Sequence, residues 1–405
     1  MKRSPVWCVA FLLSCGGSGS DVLPTVEELP EVEQPPDALV TFEGDAVASA
    51  EEWTDVRRPE VLRLFRHYVY GFEPADVAVT ATTLVEEADV DGANYEEVEL
   101  RFGPADAPPI HLAIFRPPGV SSAPVFLALN KCGNQSISTD ARIRATEVWM
   151  DESCGGTESR GIRSGSWPIA DIVGRGYALA TFHESDVDPD TARDRNREDG
   201  IHPHFVVDEE PDIQWGTIAA WSYGLRRAVD HLVNADGIDG ARISLAGHSR
   251  RGKAALWATA VDERIALVVS HQSGTGGATL SRSFLGESVE AVNLFFPHWF
   301  NDVFPTFGGN ETRLPLDQHL LLALVAPRNV LITNGADDDW ADPPGALRAA
   351  ELADPVWELL GDEGFSRVDG EVNFGGSLSW FERDGGHSFE ARDWGTFLDY
   401  ADARL

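Results

Sequence analysis

Positive charge is scarce in this chain. Its 405 residues hold 32 Lys and Arg against 66 Asp and Glu, a formal net charge of −34. A field of that sign repels nucleic acid and anionic membrane surfaces, so no nucleic-acid partner is expected, and any acidic substrate must meet locally placed cations. Cysteine is scarce as well. Of four in all, only Cys132 and Cys154 lie beyond residue 15; whether they pair or remain two buried thiols depends on a distance the sequence does not contain. No P-loop and no dinucleotide-binding fingerprint is present, so nothing marks a helix N-terminus for phosphates. His202-Pro203-His204 offers two metal ligands without a third at recognisable spacing, which argues against a metal hydrolase and for no metal cofactor.

What is there begins with a leader. Lys2 and Arg3 precede the apolar run Val6 to Leu13, which is far too short to span a bilayer as a permanent helix. Its end, Leu12-Leu13-Ser14-Cys15-Gly16, resembles a bacterial lipobox. Residues 1–14 then form a lipoprotein signal peptide and Cys15 is the lipidated first residue of the mature protein. A lipid anchor to the membrane, at the outer membrane or cell surface, is expected; an ordinary secretory signal with a secreted product is the alternative. Residues 15–45 are rich in Gly, Ser, Pro, Asp and Glu with little apolar periodicity, and read as a flexible acidic tether. The remainder, 46–405, is ordinary in composition for a globular chain and shows no linker or internal repeat, so it reads as a single domain.

Within that domain, Val61, Leu62, Leu64, Phe65, Tyr68 and Val69 fall at helical spacing across Trp53 to Tyr70, and Gly71 supplies a stop. Short apolar runs suit buried strands at Ile110 to Phe115, Val125 to Leu129, Tyr177 to Phe182, Ile243 to Ala246, Leu267 to Ser270 and Val330 to Thr333. Helical segments such as Trp215 to Val233 and Lys253 to Val261 lie between several of them. Such alternation predicts an α/β fold, a three-layer sandwich whose central sheet is mostly parallel. Lys131 to Trp167 and Asp186 to His204 read as long loops, and in such a sheet the loops at strand carboxyl ends usually line the site.

The chemistry is concentrated in Ile243 to Leu256, where a strand-like run enters Gly247-His248-Ser249 and passes directly into a helical run. This is the context of a nucleophile elbow, with Ser249 at the tip and the backbone N–H of Arg250 as oxyanion donor. The common G-x-S-x-G pattern is absent, because Arg251 stands at its second small position and Gly252 follows one residue later. A base is expected late in the chain. His387 fits, in a Gly-rich loop between Leu378 to Phe381 and the helix-like Trp394 to Ala403. An acid to orient it is expected just beyond Val330 to Thr333, where Asp337, Asp338, Asp339 and Asp342 cluster; Asp338 is the choice and Asp339 the next. Three adjacent aspartates cannot all be buried and ionised, so at least one must face solvent or a cation.

These residues resemble the glucuronoyl esterases, carbohydrate esterase family 15, and particularly their bacterial members. Gly247-His248-Ser249-Arg250-Arg251-Gly252-Lys253 is the most specific landmark; Arg57 to Val61, Asn130 to Asn134, Trp167-Pro168, Ser273 to Gly277, Gly286 to Glu290, Pro297 to Phe300, Asp317 to His319 and Ala326 to Arg328 accompany it. The resemblance implies an α/β-hydrolase that works without a cofactor. Its substrate would be the ester between 4-O-methyl-glucuronic acid on glucuronoxylan and a lignin alcohol. It also implies that Lys253, Glu290 and Trp340 contact the sugar. Two positions depart from the fungal pattern: Gln272 stands where the fungal acid precedes Ser-Gly-x-Gly-Gly, and Phe296 stands where a glutamate is found. The chain is expected to act as a monomer. Alternatives from the same residues are an esterase acting on a different ester, acetyl or another uronate, or a carbohydrate-binding lipoprotein whose triad has decayed.

Overall fold

Alternation of apolar side chains along each central strand decides the architecture. In the computed structural model, which describes residues 22–156, 158–191, 197–211, 213–366 and 374–405, Val125, Leu127 and Leu129 face one core while Phe126 and Ala128 face another. Neighbouring side chains on a strand point to opposite faces, so a strand apolar at every position must be covered on both sides. Helices Thr217–Leu232, Arg250–Val261 and Pro343–Leu359 supply the first cover. Helices Ile169–Gly174 and Ala391–Arg404 supply the second.

Among the described residues the sheet has ten strands: β1 (Val79–Val90), β2 (Ala93–Phe102), β3 (Ile110–Arg116), β4 (Ser122–Asn130), β5 (Ala178–His183), β6 (Gly237–His248), β7 (Ile265–His271), β8 (Asn329–Gly335), β9 (Phe365–Ser366) and β10 (Leu378–Arg383). Their order across the sheet is β1-β2-β3-β5-β4-β6-β7-β8-β10-β9. The pairs from β5 through to β9 are parallel, while β1, β2 and β3 form an antiparallel flank joined to β5. The mostly parallel three-layer arrangement expected from the sequence is therefore present. The carboxyl ends of β6, β7, β8 and β10 lie side by side, which brings Ser249, Gln272, Asp338 and His387 to one edge.

One segment near the start of the chain differs from expectation, and another is not described. The lipobox-like Leu12 to Gly16, with Cys15, lies outside the described residues. Val22 to Asp45, expected to belong to a flexible tether, is instead laid along the domain. Val26, Leu29 and Ala38 are buried with Val47, Tyr68 donates to the Pro24 carbonyl at 2.8 Å, and Arg313 donates to the Leu29 carbonyl at 2.6 Å. A few irregularly spaced apolar residues suffice here because the groove that receives them is built by distant parts of the chain. Cys132 and Cys154, left open by the sequence, are joined by a disulfide with their Cα atoms 5.4 Å apart.

Candidate active site

Ser249 sits between β6 and the helix Arg250–Val261 with φ 58° and ψ −129°, a conformation costly for a residue with a Cβ and held here by its surroundings. Its N–H donates to the His271 carbonyl at 2.9 Å. The turn is tight enough that a Cβ on Gly247 would meet the Arg251 carbonyl oxygen at 2.2 Å, and one on Gly252 would meet the Gly247 oxygen at 2.8 Å. Gly252 thus meets the demand for a small residue that Arg251 cannot. The N–H of Arg250 is among the first four in the helix, which have no intrahelical acceptor, and it lies where the helix dipole favours negative charge.

His387 lies on the loop after β10, its side chain 33% exposed, and its Nδ1 donates to Oδ2 of Asp338 at 2.8 Å. Asp338 is 2% exposed, whereas Asp337 and Asp339 face solvent, which resolves the crowding of three adjacent carboxylates. With Nδ1 committed to Asp338, Nε2 is left to accept a proton from a neighbouring hydroxyl. His387 and Ser249 line one cleft of about 550 Å³.

Gln272 has become a clamp on the His387 loop. Its Oε1 accepts from the Ser388 N–H at 3.0 Å, and its Nε2 donates to the Gly386 carbonyl at 2.9 Å, so both neighbours of His387 are tied down. Oε1 also accepts from His248 Nε2 at 3.0 Å. Burial, reinforced by the nearby His271 and His387, holds the His248 imidazole well below its ordinary pKa. A neutral ring therefore lies 4.6 Å from that of His387.

Arg250 is anchored from behind. Its guanidinium pairs with Asp190 and lies over the rings of Phe296 and Trp299, 4.9 Å and 4.4 Å from their centroids. Asp190 also accepts from His298 Nε2 and Trp299 Nε1, each at 2.9 Å. Burial alone would raise its carboxyl, but the His298 bond, the Arg250 charge and the Trp299 bond together carry it down to about 2. Phe296, at the position of the fungal glutamate, packs on Trp299 and forms part of this support.

Lys253 is buried, its ammonium donating to the Thr275 carbonyl and lying 3.4 Å from Glu287. Two of its three donors are engaged within the protein, leaving one for a ligand. Burial lowers its pKa and Glu287 opposes the shift. Glu290 stands exposed on the helix Val289–Phe295, and Trp340 is 47% exposed beside Phe295. The carboxylate that meets Lys253 is Glu287, which the sequence did not single out; its spacing from Lys253 carries no periodic signal. Asp190 was likewise missed, although it lies in the loop expected to line the site.

Residues 117–361 match the family model described as glucuronyl esterase, fungi. A carbohydrate esterase from an unknown prokaryotic organism is 40% identical over 388 residues, spanning 91% of this chain and 89% of its own. The chain belongs to the glucuronoyl esterase family. It is a carboxylic ester hydrolase with the α/β-hydrolase fold. The solved structure of the glucuronoyl esterase from Solibacter usitatus superimposes with a TM-score of 0.83 at 33% identity, covering 93% of this chain and 99% of that one. The 4-O-methyl-glucuronoyl methylesterase 1 of Sodiomyces alcalophilus is 34% identical over 167 residues, 38% of this chain and 34% of its own.

Proposed function

We propose that this esterase cleaves 4-O-methyl-glucuronoyl esters joining glucuronoxylan to lignin alcohols, through an acyl-enzyme on Ser249. The observation that carries the reading is the hydrogen bond from His387 to the buried Asp338, on the same cleft as a strained serine at a helix N-terminus. His387 takes the Ser249 proton as Oγ attacks the carbonyl carbon. The oxyanion that forms is met by the Arg250 N–H, and collapse expels the alcohol with the proton from His387. Water, deprotonated by His387, then releases the uronic acid and restores Ser249. Asp338 keeps the imidazole in the right tautomer throughout and stabilises its charged form. An amide at Gln272 therefore does not disarm the site, which speaks against a decayed binding protein. Lys253, on the helix that Ser249 opens, and the exposed Trp340 are offered to a sugar's hydroxyls and its apolar ring face.

The substrate reading is supported by a relative, the Sodiomyces alcalophilus protein, which is named a 4-O-methyl-glucuronoyl methylesterase. For cellular placement we propose export and anchoring through lipidated Cys15, a reading supported by the Cys132–Cys154 bond, since disulfides persist in oxidising compartments. The test of the reaction is hydrolysis of benzyl glucuronate, methyl galacturonate and nitrophenyl acetate by the wild type and Ser249→Ala. The wild type should prefer the glucuronate ester, and the variant should lose that activity with its fold intact. Full activity in Ser249→Ala would overturn the mechanism, and a preference for nitrophenyl acetate would overturn the substrate.

A further inference from the structure

The cleft that holds Ser249 and His387 reverses the charge of the rest of the molecule. Acidic residues outnumber basic ones 66 to 32 along the chain, yet the lining of this cleft contains Lys131, Arg163, Arg250 and Arg251 and no carboxylate. Three of these cations are committed inside the protein: Arg250 to Asp190, Arg251 to Glu184, and Lys131 to Asp151 at 3.2 Å and Ser153 at 3.0 Å. Arg163 differs. Among the described residues no acceptor meets its guanidinium, and its Nε is shielded from solvent without a hydrogen-bond partner. Its backbone is fixed all the same: its N–H donates to the Ser136 carbonyl at 2.8 Å and its carbonyl accepts from Ser166 at 2.9 Å. The adjoining Ser166 side chain donates to the Phe389 carbonyl at 2.7 Å. A cation held in place by its main chain, with its donors unspent, is prepared for an acceptor from outside.

The chemistry indicates which half of the ester meets it. Expulsion of the alcohol requires the proton that His387 carries, so the alcohol must leave against the His387 wall, which is a wall of this cleft. Lys253 and Trp340, the groups proposed above to meet the sugar, do not line it. Trp167 and Phe389, whose rings meet edge to face 5.9 Å apart, supply apolar surface within the same cleft. We infer that the cleft takes the alcohol half of the ester and favours aromatic alcohols that carry an anionic group, with Arg163 as the residue that selects for it. The inference rests on the reaction proposed above. A guanidinium can hold a carboxylate by two parallel hydrogen bonds, and the carboxylate-free lining protects that contact from the negative field of the remaining surface.

The experiment compares kcat/KM for the benzyl and the 4-carboxybenzyl esters of glucuronic acid, as a ratio within each protein, so that any general loss of activity or folding cancels. In the wild type the carboxylated ester should be favoured about tenfold, the scale of one charge-assisted hydrogen bond in a part-exposed site. The preference should shrink as salt is added. Arg163→Gln should bring the ratio to about one or below, and Arg163→Lys should retain part of it. A wild-type ratio at or below one, or a preference that survives in Arg163→Gln, overturns the inference while leaving the reaction standing. If the wild type hydrolyses neither ester, the proposed reaction falls and the inference falls with it.

Discussion

The ends of β7 and β8 are adjacent in the sheet, both reach the His387 loop, and they do different work there. After β7, Gln272 holds the loop's main chain from both sides of His387; after β8, Asp338 holds the imidazole itself. An amide carries a donor and an acceptor, which suits it to a peptide segment presenting one of each. A carboxylate carries only acceptors and a charge, which suits it to a ring that must become cationic. The lesson is that holding the loop's main chain and holding the imidazole are separable tasks, here assigned to neighbouring strands.

Changes at these two positions test that division. The largest effect is expected from Asp338→Asn, which leaves the geometry nearly intact but removes the charge and disturbs the tautomer; kcat for benzyl glucuronate should fall about 10⁴-fold. A loss below tenfold would mean that another carboxylate serves His387. Gln272→Ala frees both flanks of the loop, and misplacement of the base should lower kcat by up to about 100-fold. Adding a carboxylate at 272 to the disabled enzyme, as Asp338→Asn with Gln272→Glu, should restore about tenfold of the lost rate; no recovery would show that 272 cannot reach the ring. Gln272→Glu alone should have the smallest effect on rate but a distinct one on pH. A second negative charge near His387 favours the charged imidazolium, so the acid limb of the kcat/KM profile moves to higher pH. A shift to lower pH would contradict the placement.

How much of this was legible follows from how local each signal is. Ser249 could be found because strand, glycine, serine and helix succeed one another within a few residues. His387 and Asp338 could be found from chain order, since the loops after late strands of a parallel sheet collect at one edge. Gln272 was noticed only as a missing acid; that it grips Gly386 and Ser388, 114 and 116 residues away, was not readable. The 17-residue helix Pro343–Leu359 was also not singled out, because its opening Pro343-Pro344 resembles a loop unless proline at the first helical turn is given weight. The segment from Val22 to Asp45 was misjudged by composition, which reports what a chain can bury by itself but not what groove it can enter.

By itself the sequence determined the layered fold and singled out Ser249 and His387 as candidates, because hydrophobic alternation and a strand-to-helix turn act over a few residues and chain order does the rest. Only the tertiary structure decided which carboxylate bonds to His387, which one meets Lys253, and which cation of the cleft has no partner among the described residues. Asp190 pairs with Arg250 across 60 residues of chain and Glu184 with Arg251 across 67. Among the described residues, Arg163 is distinguished by having no such partner. Ionic pairing is set by distance in space. Sequence separation does not constrain it once the sheet has gathered its loops at one edge.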